Sequence, residues 1–508
     1  MKKSFVLLLV MVLLFTGTAC YAQNELLKER DQVHFTESII YGDKSVVEGV
    51  TVEMHNEYSR HIFWHTIYEV ASEPNETTEY EFYPWAQYDY EYNPTGSLSV
   101  LYHGMSEWDI QSNKEGQYTG LDAAMKELYD STGAGETKEK TIYLKDYLDY
   151  YSFELQLELP KEEGKSYKSY GDSYFFFREL ETEIAELEKS GSNPERLAEL
   201  KRYQKDLNNF QNYFKIPVVE TEIYMLALAK DESGNIIGMA ESGMSGGTAT
   251  GDIDFPEIPL DKMGDSFRLD LEAAFVEGVC YLVFDAHTEN GNIVDTSHIP
   301  GGYGIYSFSY DSENGSIDSE NIEMIYALDP SVTISSIAVD ASGEKLFLYT
   351  DEKGRIYLSV IDRDTMTLED KIDVGSVNAY FTYWTYEDYL ITLSDDLTVY
   401  TIDTDGHYVK EFSVNVEEME RKLGENSDGF YFSWKCSFDW DGERLLMGNC
   451  LYRGAQEKCM FSLSVIDETG LVYYGEYDSS LLTSDVEYTG CRPDTEMEFP
   501  LTVKWNNR

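Results

Sequence analysis

The stretch SIAVDASGEKLFLYTD (336–351) decides how the chain is read. Two runs of alternating apolar residues flank a short polar turn that contains Asp340 and Gly343. Alternation places every second side chain on one face, as a half-buried strand requires, and Asp with Gly supplies the chemistry that reverses the chain. The stretch is a β-hairpin. CSFDWDGERLLMGN (436–449) repeats the plan, and LDLEAAFVEGVCYLVFD (269–285) repeats it with Glu277-Gly278 at the tip.

A second hairpin type recurs from about residue 222 onward, in YMLALAKDESGNIIGMA (224–240), GIYSFSYDSENGSI (304–317), IYLSVIDRDTMTLEDKI (356–372), TVYTIDTDGHYVKEF (398–412) and FSLSVIDETGLVYYGEY (461–477). Two successive hairpins make a four-stranded antiparallel unit. Such units fit 267–327, 335–374, 379–416 and 430–480. Recurrence every forty to sixty residues, four strands at a time, is the signature of propeller blades. The fold class expected is all-β, a β-propeller of about six to eight four-stranded antiparallel blades.

The turns Asp340-Ala-Ser-Gly-Glu-Lys-Leu and Asp439-Trp-Asp-Gly-Glu-Arg-Leu resemble the S-P-D-G-K-x-L hairpins of WD40-like and TolB-type β-propellers, over roughly 265–480. They lack the Pro before the turn, and no blade ends in Trp-Asp. The resemblance implies architecture and carries no catalytic residue with it. A lipobox ahead of a Tyr-rich acidic propeller is also similar to uncharacterised lipoproteins of Gram-positive bacteria.

Around the best-defined blades (265–480), the propeller is expected to run from 34 to 505. Irregular N-terminal blades fill 34–160, with strands at 49–71, 96–104 and 147–160, and closing strands lie in 485–505. Strands from both termini combine to remove exposed edges. One segment breaks the period. In 178–214, Leu180, Ile184 and Leu187 form one helical stripe, Pro194 suits a first helical position, and Leu197, Leu200, Leu207, Phe210 and Phe214 follow at helical spacing. This predicts an inserted α-helical hairpin that shields a blade edge or docks a protein partner.

The N-terminus reads as a signal peptide over 1–22. Lys2 and Lys3 precede an apolar run from Phe5 to Phe15, shorter than the roughly 20 residues a spanning helix needs. Gly17-Thr18-Ala19-Cys20 resembles a lipobox with Gly17 in place of the usual large aliphatic, so Cys20 is the candidate lipidation site. Cleavage after Ala22 is the alternative. The expectation is an extracytoplasmic cell-membrane lipoprotein, or else a secreted protein. A formal charge of −55 repels nucleic acid and anionic headgroups, which leaves a lipid on Cys20 as the link to a membrane. Cys450 and Cys459 are a candidate disulfide, on the expectation that a hairpin tip at Gly454-Ala455 sets them opposite each other.

Site motifs were weighed by context. Gly243-Met-Ser245-Gly-Gly247 has the G-x-S-x-G spacing of a hydrolase elbow but no helix pattern after it. His61 and His65 share a strand face without a third metal ligand. Asp403-Thr-Asp-Gly406 and Asp439-Trp-Asp-Gly442 lack the later ligands of a calcium loop, so no metal site is assigned. No cofactor is identified, and Ca²⁺ is a weakly supported option. FYPWAQYDYEYN (82–93) offers Tyr83, Trp85, Tyr88, Tyr90 and Tyr92 beside carboxylates, a candidate ligand platform suited to a glycan. The expected role is a non-enzymatic binding, scaffold or sensory module. The alternative is a carbohydrate-active enzyme or lectin using aromatic and acidic residues at one face.

Overall fold

The computed structural model describes residues 33–506, except 59–61, 71–74, 83–96, 102–119, 152–153, 159–176, 244–245, 255–256, 269–270, 312–315, 341, 377–381, 387, 405, 425–435, 452–457 and 483–500. The expected β architecture is present. Among the described residues, six sheets have four or five strands, and all their ladders are antiparallel. The chain divides into two compact units, Met1–Asp89 with Val374–Arg508, and Tyr90–Asp373.

The first unit holds three blades, numbered here in chain order as I, V and VI. Blade I is Val50–Tyr58, Ile62–Glu69 and Glu76–Phe82. Blade V is Thr382–Thr385, Tyr389–Leu393, Asp396–Ile402 and Tyr408–Asn415. Blade VI is Ser437–Trp440, Leu445–Leu451, Lys458–Asp467 and Gly470–Leu482. The termini cross over between two of them. Phe35–Tyr41 joins blade VI beside Gly470–Leu482, with Phe35 opposite Ser479. Leu501–Trp505 joins blade I beside Val50–Tyr58, with Val50 opposite Trp505 and Met54 opposite Leu501.

The last strand alternates as the closing role demands. Leu501, Val503 and Trp505 are buried while Thr502 and Lys504 are exposed. Its second edge meets side chains: the Val503 N–H donates to Ser437 Oγ at 3.1 Å, and the Trp505 N–H donates to Asp439 Oδ2 at 2.7 Å. Arg444 stacks over the Trp505 ring at 4.6 Å and is gripped by Asp441 at 2.8 Å.

The first strand is held by aromatic rings and one carboxylate. Phe461 and Tyr477 stack at 4.7 Å, and Phe35 meets both Phe461 and Tyr68 edge-on at 5.2 Å. The Tyr473 and Tyr477 hydroxyls lie 2.8 Å apart and reach Glu37 Oε1 at 3.4 and 3.2 Å. Lys44 pairs with the other oxygen of Glu37. Burial pushes both phenols well above the usual tyrosine range.

The second unit holds blades II, III and IV. Blade II is Thr137–Tyr143, Ile223–Lys230, Ile236–Gly243 and Gly246–Gly251. Blade III is Leu271–Val276, Val279–Phe284 and Gly304–Asp311, with Glu323–Ala327 and Ser316–Ile317 on its outer side. Blade IV is Thr333–Val339, Lys345–Asp351, Arg355–Asp362 and Thr367–Ser376. Its first hairpin contains the stretch SIAVDASGEKLFLYTD (336–351), with Ile337 opposite Leu348. At the tip of the first blade III hairpin, Glu277 and Gly278 have φ of 47° and 81°. Positive φ at both central residues marks a tight turn that follows the strand twist.

Among the described residues, four α-helices accompany the sheets: α1 (Gly120–Ser131), α2 (Phe177–Ser190), α3 (Pro194–Tyr213) and α4 (Val416–Leu423). The α2–α3 hairpin is inserted between the first two strands of blade II, and its inner face is spent on blade III. Phe210 meets Phe308 at 5.3 Å, and Phe214 meets Tyr306 and Phe284 at 5.0 and 5.8 Å. Asp206 on α3 accepts from Ser319 Oγ at 2.5 Å. Helix α1 lies within 34–160, the span read from the sequence as irregular N-terminal blades. Its Ala124, Met125 and Leu128 pack on Ile142, Leu226 and Leu228 of blade II. Lys230 donates to the Tyr129 and Thr132 carbonyls at 2.7 and 2.9 Å, closing the C-terminal end of α1. In the segment 147–160, Glu154–Glu158 is a strand paired with Ser97–Leu101, and a 3₁₀ turn, Leu144–Asp146, precedes the segment.

Gly448 of blade VI leaves room for the closing strand. A Cβ there would meet Val503 Cγ1 at 2.2 Å and Leu501 Cδ2 at 3.1 Å. Overpacking of this kind costs about 1–3 kcal/mol. Gly448→Ala is therefore expected to lower the urea midpoint of unfolding, and an unchanged midpoint would contradict the described seat of Leu501–Trp505.

Candidate functional site

The polar groups of the second unit converge where four chain segments meet beside blade III. One segment carries Tyr151, a second Thr221 and Glu222, a third Asp265 to Phe267, and a fourth Asp285 to Asn292. Phe267–Arg268 and His287–Thr288 pair as a short ladder, which brings the third and fourth together. The Asp265 N–H donates to Thr221 Oγ1 at 3.3 Å, which ties the third to the second. The Leu144 N–H donates to the Glu222 carbonyl at 3.0 Å, and the Tyr151 N–H donates to the Ile216 carbonyl at 2.9 Å.

Glu222 is 4% exposed and accepts from the Tyr151 hydroxyl, which in turn accepts from the Val219 N–H at 3.1 Å. Burial pushes its carboxyl above the usual range. Bonds from Tyr151, the Phe267 N–H and Tyr224 work against that rise, while the charge of Asp265 adds to it. Asp265 behaves in the opposite way. Burial disfavours its charge, but Thr288, Asn292 and the Asn290 and Ser266 N–H groups outweigh burial and hold the carboxyl below its usual range. Asn292 Nδ2 reaches it at 2.6 Å and the Asn290 N–H at 3.1 Å. Two neighbouring carboxyls with pKa values pushed apart can hold one proton and one charge, the division of labour that acid–base chemistry uses.

Next along the fourth segment, Asp285 follows the strand Val279–Phe284 and stands two residues before His287 of the short ladder. His287 Nδ1 lies 2.6 Å from Asp285 Oδ1, with side-chain exposures of 7% and 3%. A carboxylate only accepts, so Nδ1 carries the proton and the imidazole is oriented by Asp285. Tyr303 stands beside Asp285, its phenol pushed far up by burial and by that charge. Its hydroxyl donates to the Val332 carbonyl at 2.9 Å.

None of these residues was singled out in the sequence. Asp285 and His287 have a local signal, the two-residue spacing in DAHTENGN (285–292). Glu222, Asp265 and Tyr151 have none, because the fold alone brings them together. Cys20 and the platform Tyr83, Trp85, Tyr88, Tyr90 and Tyr92 lie outside the described residues. So do Ser245, His61 and Asp405. The flanks of Ser245 are strands, with Gly243 opposite Gly246, and an elbow leading into a helix has no place there. His65 lies 3.7 Å from Glu53, and no group of three metal-ligating side chains occurs among the described residues.

In blade VI, Phe461 stands opposite Cys450, two residues from the register that would oppose Cys450 to Cys459. The acidic turns are occupied by their own backbone. Asp403 accepts from the His407 N–H at 3.0 Å, and Asp441 from the Arg444 N–H at 2.7 Å.

No known protein family matches the chain, and no curated protein matches it. Among solved structures, it is similar to the β-propeller domain of Swd1 from Myceliophteria thermophila, at 11% identity over 49% of this chain and 69% of that one, TM-score 0.25. It is similar to TolB from Acinetobacter baumannii, at 10% identity over 90% and 82%, TM-score 0.23. It is also similar to the periplasmic gluconolactonase PpgL of Pseudomonas aeruginosa, at 12% identity over 40% and 67%, TM-score 0.20. The fold rests on the sheets themselves, and no site residue is transferred from these proteins.

Asp265 gives a test of the site's electrostatics. Its depressed pKa contributes stability that is present above the unfolded carboxylate value and is lost as pH falls through the folded one. Asp265→Asn, which leaves loop donors without a charged acceptor, is expected to cost about 1–3 kcal/mol at neutral pH. The gap between variant and wild type is expected to narrow as pH falls below the ordinary aspartate range and through the depressed folded value. A gap independent of pH would contradict the assignment.

Proposed function

We propose that the chain is an exported binding or scaffold module, non-enzymatic, whose propeller blades hold acidic loops in fixed conformations. The observation that carries this reading is the way the turns are built. At Asp231, Asp329, Asp362 and Asp467, the aspartate at the start of a turn accepts N–H groups two to four residues on. The Asn235 N–H at Asp231, the Ser331 N–H at Asp329 and the Thr365 hydroxyl at Asp362 hold those carboxyls below the usual range. Each such turn is ordered and charged before any ligand arrives, which reduces the ordering cost of binding. With a net charge of −55, the ligand class favoured is cationic, including Ca²⁺.

Attachment is proposed through a lipid on Cys20, with secretion after Ala22 as the alternative. Purified residues 23–508, presented to calcium, to cationic peptides and to a glycan array, are expected to bind a cationic ligand saturably and more weakly as salt rises. Release of reducing sugar from any glycan would overturn the non-enzymatic reading in favour of a carbohydrate-active enzyme. For attachment, the wild-type protein is expected in the membrane fraction with lipid mass at Cys20, and Cys20→Ala in the medium. A wild-type protein that starts at Gln23 without lipid would establish secretion.

A further inference from the structure

We propose that Glu222 is a proton-operated latch between the Tyr151 segment and the loop that carries Asp265 and its partners Thr288 to Asn292. The geometry that supports it lies within one unit. Glu222 is almost fully buried, it takes the Tyr151 hydroxyl on one side, and the Phe267 N–H reaches it from the other. This carboxyl bridges two segments that no strand ladder joins, beside the Tyr151–Phe267 ring contact at 5.0 Å and the Thr221–Asp265 bond. The titratable groups that face it are Tyr151, Tyr224 from blade II and Asp265 from the loop. Among the described residues no cation pairs with Glu222, and none of them compensates a second negative charge here.

Asp265 cannot retreat from its own charge. Its oxygens are filled by donors from Thr288, Asn290 and Asn292, and these donors fix it as an anion at any pH near neutral. When Glu222 is protonated, one buried charge remains and the latch is closed. Tyr151 Oη takes the Val219 N–H and gives its own proton to Glu222, whose carboxyl keeps acceptor capacity when protonated. When Glu222 ionises, two carboxylates share a dry site, and like charges in low dielectric repel strongly. The movable partner is the loop, whose Glu289, Asn290, Gly291, Asn292 and Ile293 are already exposed. Direction follows from the sign. A buried acid with a raised pKa favours the closed state below its unfolded value and weakens it as pH rises through the folded one.

Hydrogen exchange followed by mass spectrometry tests the latch on the whole chain, with rates corrected for the intrinsic pH effect. Peptides spanning 264–268 and 286–294 are expected to lose protection at least several-fold between pH 5 and pH 8, while blade IV peptides do not. Glu222→Gln is expected to abolish that difference. Should the Gln variant misfold, Tyr151→Phe serves instead. It removes a donor that favours ionisation, so loss of protection is expected to begin at higher pH than in wild type. Equal protection at both pH values in wild type would overturn the proposal. So would a difference that survives Glu222→Gln, or an unshifted onset in Tyr151→Phe.

Discussion

The first unit depends on hydrogen bonds that its two end strands make with blades far away in sequence. A sheet edge presents unpaired N–H and C=O groups, and those groups must be covered or they recruit other strands. Here the cover is mutual. Blade VI receives Phe35–Tyr41, and blade I receives Leu501–Trp505. The strand given to blade I is held on both edges, by a ladder to Val50–Tyr58 and by the side chains of Ser437 and Asp439. Everything apolar in that region follows from it. Val50, Val52 and Met54 are buried together with Val503 and Trp505 in one cluster.

The two units treat buried polar groups differently. In the first, Glu37 ends its run of contacts at Lys44, and the tyrosines around it serve as donors to a charge that is already paired. In the second, the carboxyls of Glu222 and Asp265 have donors but no cation. Buried polar networks are costly when any member lacks a partner. Hydroxyls and backbone N–H groups meet that demand, while the charge of Asp265 works against a second charge on Glu222.

The sequence was legible wherever a local rule acts alone. Strand alternation and Asp/Gly turns located blades III, IV, V and VI, and the positive φ at Glu277 and Gly278 answers the turn read there. The α2–α3 hairpin was legible because its apolar spacing is long. Helix α1 is harder to read: Leu121, Ala124, Met125 and Leu128 fit a helix, but the stripe is short and lies among Tyr-rich strands. The Cys450 register depends on where the hairpin tip falls, and a shift of two residues puts Phe461 opposite it. The candidate site was not legible at all. Its members lie at 151, 222, 265 and 285–292, and no spacing rule links residues joined by tertiary contact.

The exchange of end strands also sets an order of events. Thr51 Oγ1 donates to Asn506 Oδ1 across 455 residues of chain. On the logarithmic scaling of loop closure, such a contact costs about 3 kcal/mol more to form than a 15-residue hairpin. Blade I therefore receives its fourth strand from a segment translated long after its first three. Until that pairing forms, the strand of Val50, Val52 and Met54 has an unpaired edge of the kind that recruits other strands. Folding of this unit is expected to wait for this long-range pairing, which is slow.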